Sequence, residues 1–468
     1  MFIGLEVHVQ LRTRSKMFSS APVNYHAAAN SQVAWFDVAM PGTLPVVNKK
    51  AIEMAIIFGI AINANIARTI TFARKNYFYP DLSKGYQISQ STNPIIQNGR
   101  IEIFTKNGTK AIRIERAHLE EDAGKSVHYI VNNKSGIDYN RAGTPLLEVV
   151  TYPDFRNSEE VINYLKAIRE LVYHLGICDG NMQEGSLRCD VNLSIKENTA
   201  KHLGVRVELK NINSFKFIKE AINHEYRRQV NCIKNCVPII QESRLYDSKK
   251  NKTRSMRNKE NSCDYRYCPD PDLLPIPITY KEIDLISMKM PILPKARRKR
   301  YAIDLGIDAV NFLMEDIEIS NYYDQVCKSI SPKAAYHWIS NEMKALFNRE
   351  QKPFDSKIIP PYVLVKIIQY VNTKTISMPS AKKVLQHYYR YPADIDKIIG
   401  ELGLRQSNDI SVIEELIDEV FSINKKQFNQ YLDGKTEISS FFIGQVMKKT
   451  KGKANPKLVS ELISKKLV

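Results

Sequence analysis

The sequence predicts an α+β protein: a mixed strand-and-helix body comes first and an almost wholly helical part follows. Three observations carry this expectation. Apolar and polar residues alternate over residues 3–11, 187–195 and 205–209, the two-residue period of half-buried strands. From about Lys295 to Val468 apolar residues recur at helical spacing. Between the two regimes, PILPKARRKR (291–300) joins two prolines to a basic run, which suits a linker or a helix entry. The expected domains are therefore 1–294, a helical linker region 295–355 and a helical tail 356–468.

The first strand places Ile3, Leu5, Val7, Val9 and Leu11 on one face and Gly4, Glu6, His8 and Gln10 on the other. An ordinary antiparallel strand with one wet face has the same pattern. The later pair repeats it. Arg188, Asp190, Asn192 and Ser194 oppose an apolar face, as do Arg206, Glu208 and Lys210, and the pair predicts a hairpin. Their polar faces carry both signs of charge. Solvated faces do this too, but a cradle for a metal and phosphates needs this mixture: carboxylates for a hard cation, Arg and Lys for phosphate oxygens.

Helices are signalled by their ends. Asn157 precedes Glu160 by three residues and the pattern stops at Gly176, while Ser214 caps FKFIKEAINHEYRRQV. In the second part, 361–372, 381–389, 410–423, 439–451 and 457–467 read as short helices of a bundle, with Asn455-Pro456 a helix start.

Two loop-like segments are rich in ionisable groups, and a further segment mixes aromatic and basic residues. HLEEDAGK sets Glu120, Glu121 and Asp122 side by side, an arrangement that repels itself unless a cation or several donors are near. DYNRAGTPLLEVVT holds Glu148 inside an apolar run, on an exposed strand face or buried with a partner. RKNYFYPDLSKGYQISQ (74–90) interleaves Arg74 and Lys75 with Tyr77, Phe78, Tyr79 and Tyr86. Such a mixture stacks on unpaired bases and contacts phosphates, or forms a packed aromatic cluster ending in a Pro-Asp turn.

Composition narrows the class. The 468 residues carry 68 Lys+Arg against 50 Asp+Glu, a net charge of +18. The resulting pI near 9.3 favours a polyanionic partner, nucleic acid first. Lys-rich solvated surfaces give the same balance. The N-terminal MFIGLEVHVQL is neither a signal nor a transit peptide. The longest apolar stretch, 55–64, falls far short of the roughly 20 residues that span a membrane. Seven cysteines, an odd number, do not form a disulfide framework, so a reducing cytoplasm is expected. No P-loop, GxxxxGK[ST], is present, so any ATP site is built another way.

Taken together, IGLEVHVQL, MPGTLPVVNK, RKNYFYPDLSKGYQISQ, HLEEDAGKS, DYNRAGTPLLEVV, EGSLRCDVNLSI, VELKNINSF, DYRYCPDPDLLP and the tail GQVMKKTKGKANPKLVSELI resemble GatB, the family of B chains of the glutamyl/aspartyl-tRNA amidotransferases. The resemblance runs in order along essentially the whole chain. It implies a cradle-shaped mixed catalytic domain around antiparallel sheet, then a helical linker and a helical tail domain. It implies ATP-dependent conversion of Glu-tRNA(Gln) or Asp-tRNA(Asn) to the amide through an acyl phosphate. The ammonia would come from glutamine hydrolysed in a partner glutaminase, GatA, with a small third protein, GatC, tying the two together. ATP and Mg²⁺ are the implied cofactors, the cytoplasm is the expected location, and no membrane partner is expected.

Carried over by position, the family's metal site falls on Glu6, His8 and Glu121. Glu148, Asp190 and Glu208 join because they lie in matching motifs. The candidate catalytic residues are thus Glu6, His8, Glu121 and Glu148. Arg188, Asp190, Arg206, Glu208 and Lys210 are candidates for nucleotide and metal binding, and Lys75, Tyr77, Tyr79, Lys448 and Lys449 for nucleic acid. Histidine is an unusual ligand for Mg²⁺, which prefers oxygen. His8 would then orient a ligand, bind a metal-held water or mark a site open to Mn²⁺. His118 and Glu115 rank as supporting or surface groups. Where many family members hold a structural zinc on paired cysteines, this chain has Ser19, Ala21, Ala34 and Asp37, so no zinc is expected there. Cys232-x₃-Cys236 and Cys263-x₄-Cys268 are loose zinc-like spacings that the family pattern does not use. The tail lysines, with Lys382, Lys383, Lys451 and Lys453, read as tRNA-gripping charge in the family or as solvated helix faces.

Two other functions compete: a non-catalytic tRNA-binding scaffold, and a stand-alone ligase for a small carboxylic acid. A scaffold has no need of Glu6 and His8 beside Glu121. A stand-alone ligase does not explain the basic tail.

Overall fold

A computed structural model describes residues 1–468 except 107, 132–133, 198–199, 248–249, 259–264, 407–409, 433–438, 451–453, 455 and 467–468. The chain divides into two compact units, Met1–Pro294 and Lys295–Val468.

The first unit is built on a nine-stranded sheet. Its spine is Phe2–Gln10, paired antiparallel with Pro145–Thr151 on one side and Leu187–Ser194 on the other. Beyond Pro145–Thr151 lie Gly108–Glu121, Ile96–Thr105 and Asn65–Ile66; beyond Leu187–Ser194 lie Val207–Lys210, Glu242–Asp247 and Lys252–Asn258. The pairing of Val207–Lys210 with Glu242–Asp247 is parallel; the other neighbours in this sheet run antiparallel. The predicted pair 187–195 and 205–209 does form adjacent antiparallel strands.

The apolar face of the spine is fully closed. Ile3, Leu5, Val7 and Val9 join Leu147, Val149, Val191, Leu193, Val207 and Leu209 in one core with two helices. Ser158–His174 contributes Val161, Leu165, Ile168 and Val172; Phe215–Lys234 contributes Ile218, Ala221 and Ile222. Each large side chain taken out of water in this way contributes about 1.5–3 kcal/mol. Both caps act as expected: Asn157 accepts from Glu160 N and Ser214 from Phe217 N. A third helix, Lys49–Ala61, is apolar on nearly every side because it is largely buried in the same core. With helices filling one face, the face bearing Glu6 and His8 stays open.

Three strands form a wall beside that open face. Ala73–Asn76 pairs with Tyr86–Ser89 and with Cys268–Pro269, so the aromatic and basic segment 74–90 is a hairpin over the Pro80-Asp81 turn. Arg74 ties it down through Asp270 at 2.9 Å and Asp272 at 2.8 Å.

The segment Ser19–Asp37 is anchored by the buried carboxylate of Asp37. Its Oδ2 accepts from Lys16 Nζ at 3.0 Å, Ser19 Oγ at 3.2 Å and Ala34 N at 2.8 Å. Lys16 is itself fully buried and also donates to Tyr139 O at 3.1 Å. Gly143 permits this packing. Its φ of +81° is a left-handed conformation that glycine adopts without strain, and a Cβ there would stand 2.9 Å from Asp37 Oδ1. Of the cysteines with zinc-like spacing, Cys263 lies outside the described residues.

The second unit is helical. One core runs from Tyr301 to Ile399, around Trp338, and a second from Ile413 to Ile463. The first core takes residues from both sides of position 355, so 295–355 is itself part of a packed body and not a bare linker. Helices Pro361–Asn372, Met378–Arg390, Ile410–Ile423, Ser439–Lys449 and Pro456–Lys465 stand where helical spacing places them. Among the described residues no helix is long and apolar enough to cross a membrane.

Candidate active site on the open sheet face

Strand register assembles the site. His8 faces Glu148 on one neighbouring strand and Arg188 on the other. Glu6 faces Asp190, Glu148 faces His118, and Asn192 faces Glu208. Glu208 in turn lies beside Ser243 across the parallel pairing. Directly opposed side chains on one sheet face are close enough to interact, so neighbouring strands deliver one continuous polar strip.

The strip holds two groups of metal-capable side chains. In the first, one ligand atom each from His8, Glu120 and Glu148 lie within 4.8 Å of one another. His8 Nε2 is 3.3 Å from Glu148 Oε2 and 3.8 Å from Glu120 Oε1. His118 Nε2 approaches the same carboxylates, at 3.5 Å from Glu148 and 3.8 Å from Glu120. Burial works against a charged imidazole, but the two carboxylates outweigh it and raise both histidines, His118 to about 9. Burial alone would raise Glu148; the two imidazoles reverse this and hold it well below the usual carboxylate range.

The second group is Glu6, Asp190 and Glu208, again within 4.8 Å. Burial raises Glu6, and the carboxylates of Glu148, Glu208 and Asp190 push it further, partly offset by a hydrogen bond from Asn192 Nδ2 at 2.8 Å. Lys210 bridges the other two, 2.6 Å from Asp190 and 2.9 Å from Glu208. Burial disfavours its charge, yet the two carboxylates raise its pKa. Ser243 Oγ donates to Glu208 Oε2 at 2.6 Å. An all-oxygen set of three carboxylates suits a hard cation such as Mg²⁺; the group with a histidine also suits Mn²⁺. Arg188 flanks both groups and donates to Asp122 at 2.6 Å, with Arg141 3.4 Å from the same oxygen.

The catalytic-domain pattern of the GatB/GatE family matches residues 1–284, and the GatB domain pattern matches residues 321–467. The chain belongs to the GatB family. Relatives from Francisella tularensis, among them subsp. tularensis (strain WY96-3418) and subsp. novicida (strain U112), are 54% identical over 467 residues, covering 100% of this chain and 99% of theirs. They are named as the B chain of aspartyl/glutamyl-tRNA(Asn/Gln) amidotransferase.

Within this GatB chain the expected metal set Glu6, His8 and Glu121 is split: Glu6 and His8 fall in the two different groups. Glu121 joins neither group. Its carboxylate pairs with Lys84 at 2.8 Å and accepts from Ile88 N at 2.9 Å, while Glu120 joins His8. The cause is strand parity. On Gly108–Glu121 the buried apolar positions change from Ile112 and Ile114 to Ala117 and Leu119. The switch falls at Glu115, an extra residue between the pairs Val150–Arg116 and Thr151–Ile114. The change of parity is visible in IRIERAHLEE, and following it selects His118 and Glu120.

Glu148, Arg188, Asp190, Glu208 and Lys210 all lie on the strip, whereas Arg206 precedes its strand and is exposed. Lys75 stands on the hairpin wall with its ammonium 4.7 Å from the Tyr265 ring centre and 5.7 Å from that of Tyr77. Tyr79 is exposed at the hairpin tip, as is Phe78. Lys448 and Lys449 close the helix Ser439–Lys449, where Lys449 pairs with Glu419. Lys451 and Lys453 lie outside the described residues. Asn192 and Ser243 join the site as carboxylate partners that sequence reasoning does not assign. Alternation puts Asn192 on the right face, but nothing local marks Ser243.

Proposed function

We propose that this chain binds Glu-tRNA(Gln), Asp-tRNA(Asn) or both, phosphorylates the misplaced side-chain carboxylate with ATP and amidates it. The observation that carries the reading is the pairing of two carboxylate-bearing groups with Arg188 and Lys210 on one open sheet face. Family membership supports it. We further propose the cytoplasm as its location, a glutaminase (GatA) and a small third protein (GatC) as partners, and the basic second unit, through Lys448 and Lys449, as a grip on the tRNA body.

A side-chain carboxylate oxygen attacks the γ-phosphorus of ATP, the bond to the β-phosphate bridging oxygen breaks, and ADP leaves. Ammonia then attacks the acyl carbon, the C–O bond to phosphate breaks, and inorganic phosphate leaves with the amide formed. Phosphoryl transfer needs positioning and charge neutralisation more than covalent help. Glu6, Asp190 and Glu208 are the set fitted to hold Mg²⁺, which when bound neutralises phosphate charge. Asn192 and Ser243 orient two of these carboxylates. Lys210, beside Asp190 and Glu208, and Arg188 would take phosphate oxygens. His8, Glu120, Glu148 and His118 form the adjoining part of the floor.

The test is ATP cleavage and amide formation by the assembled GatA, GatB and GatC chains with Mg²⁺, free ammonia and misacylated tRNA. Glu6→Gln and Glu148→Gln should bind tRNA normally and lose about 10²–10³ in rate. Undiminished ATP cleavage in both variants would move the chemistry out of this chain and leave it a tRNA-binding scaffold.

A further inference from the structure

Beside the His8–Glu120–Glu148 group the sheet face opens into a cleft of about 590 Å³. Its walls include Lys75, Gln90, Arg116, His118, Tyr152 and Tyr267. Three of these groups have an unfilled partner among the described residues: Gln90 Nε2, the Lys75 ammonium and His118 Nδ1, the last on a ring whose Nε2 already faces Glu120 and Glu148. Gln90 is 3% exposed, and its Oε1 accepts from two backbone groups, Leu119 N at 2.9 Å and Ile95 N at 3.2 Å. Two N–H donors on one atom fix which end of the amide is oxygen. The other end, Nε2, is therefore a donor, and among the described residues it has no acceptor. Lys75 has its ammonium over the Tyr265 and Tyr77 rings and makes no ion pair with the described residues. A buried amide donor without an acceptor costs stability. Burial works against the Lys75 charge, but the nearby carboxylates of Glu120 and Glu148 outweigh it and keep the ammonium charged. A ligand that supplies an anionic oxygen gives the amide its acceptor and the ammonium a direct partner.

The charge of the cleft selects among anions. Arg116 is engaged by its neighbour Glu115 at 2.9 Å, so Lys75 is the cation left over on this wall. One ammonium and one neutral amide donor match a singly charged group. A triphosphate carries several charges, and the flank bearing Arg188 and Lys210 suits it better. Glu120 and Glu148 also line the cleft and would repel an arriving carboxylate unless a cation offset them.

We propose that this cleft is the subsite for the side-chain carboxylate of the aminoacyl group, held by Lys75 Nζ and Gln90 Nε2. The proposal rests on the activity assigned above and says where the acceptor of the phosphoryl group lies. Lys75 and Gln90 would then distinguish a chain-terminal glutamate or aspartate from its finished amide. The amide product has no charge for Lys75, so the same contact weakens once the reaction is complete.

The experiment uses the whole three-chain assembly with free ammonia, so that glutamine hydrolysis does not enter. KM is measured separately for misacylated tRNA and for ATP in wild type, Lys75→Met, Lys75→Arg and Gln90→Glu. Gln90→Glu retains an acceptor for Ile95 N and Leu119 N but replaces the donor with an acceptor. Lys75→Met and Gln90→Glu should raise KM for the misacylated tRNA about ten- to a hundredfold and leave KM for ATP within about twofold. Lys75→Arg should recover part of the loss. Affinity for uncharged tRNA should stay at wild type, and circular dichroism should show Lys75→Met and Gln90→Glu folded. A rise in KM for ATP alone would assign the subsite to a nucleotide phosphate and overturn the proposal. Unchanged KM values in folded Gln90→Glu would overturn it as well. Glu6→Gln, which lies outside the cleft, and Glu148→Gln run in parallel separate the two levels. If Glu6→Gln abolishes ATP cleavage while Lys75→Met and Gln90→Glu leave both KM values unchanged, only the subsite falls. If both Glu6→Gln and Glu148→Gln cleave ATP normally, the assigned activity falls first.

Discussion

His8 and Glu148 stand directly opposite each other on neighbouring antiparallel strands, with His8 Nε2 3.3 Å from Glu148 Oε2. His118 flanks the same oxygen from the far side at 3.5 Å. Glu148 is therefore held ionised between two imidazoles. Replacing it with glutamine removes the charge that both histidines use. In the assembled enzyme Glu148→Gln is expected to cut ATP cleavage by about 10²–10³ while tRNA binding stays at wild type, read by single-turnover ATP cleavage and filter binding. Loss of tRNA binding in step with activity would show instead that the variant disturbs the fold.

Glu120 and Glu121 are adjacent in sequence and opposite in role. Glu120 reaches His8, whereas Glu121 neutralises Lys84 in a buried pair. Glu120→Gln should raise the Mg²⁺ or Mn²⁺ concentration needed for half-maximal ATP cleavage. Glu121→Ala leaves the Lys84 ammonium buried without its partner and should cost about 3–5 kcal/mol of stability, with little change in that metal dependence. Metal titrations and thermal melts of both variants check the pair of outcomes; a reversed pattern would restore Glu121 to the site.

The same two residues show what can be read from sequence. Clean alternation on the spine strand places Glu6 and His8 on one face, and the fold keeps them there. Glu148 cannot be assigned a side by alternation, because Leu146 and Val150 on its own face are buried as well. Glu121 and Glu120 cannot be told apart by strict two-residue counting, since the count does not carry across the bulge at Glu115. Helices with a polar cap, at Asn157 and Ser214, are legible, while Lys49–Ala61 is not, being apolar on almost every side. Ser243 lies beside Glu208 only through a parallel pairing that joins distant segments, and no local signal reports such a pairing.

Asp37 carries the segment that begins at Ser19. It accepts three hydrogen bonds at one oxygen and neutralises a lysine with no exposed side chain. Burial lowers the pKa of Lys16, and Asp37 pulls it back up in part. Asp37→Ala should therefore destabilise the first unit by about 3–5 kcal/mol and expose residues 19–40 to limited proteolysis. Adding Lys16→Met should recover much of the loss, since the uncompensated charge is then gone. Equal destabilisation by the single and double variants would show that the hydrogen bonds, not the charge pair, hold the segment.

Lys448 and Lys449 are expected to act together or not at all. Lys449 is partly neutralised by Glu419, so neither lysine alone should dominate. The double variant Lys448→Ala/Lys449→Ala should weaken tRNA binding and lower the slope of log K against log salt by about 1–2. An unchanged slope over a salt titration would make these lysines ordinary solvated helix ends.

Asp154 gives a pH dependence that can be assigned to one pair. Its carboxylate takes Arg113 Nε at 3.0 Å, Nη2 at 2.7 Å and the Arg113 backbone N at 3.1 Å. These hydrogen bonds, against a smaller effect of burial, hold its pKa below the ordinary value, and Arg156 adds to the lowering. A carboxylate depressed in the folded state contributes its full stabilisation above the unfolded pKa of about 3.9. That contribution drains away as pH falls through the lower, folded value. Wild type should therefore lose stability below about pH 4 more steeply than Asp154→Asn, with the two curves parallel above about pH 5. Other carboxylates titrate in the same acid range, so the informative quantity is the difference between the two curves, measured by urea denaturation at a series of pH values. If the difference grows at neutral pH instead of shrinking in acid, Asp154 acts through its shape and not its charge.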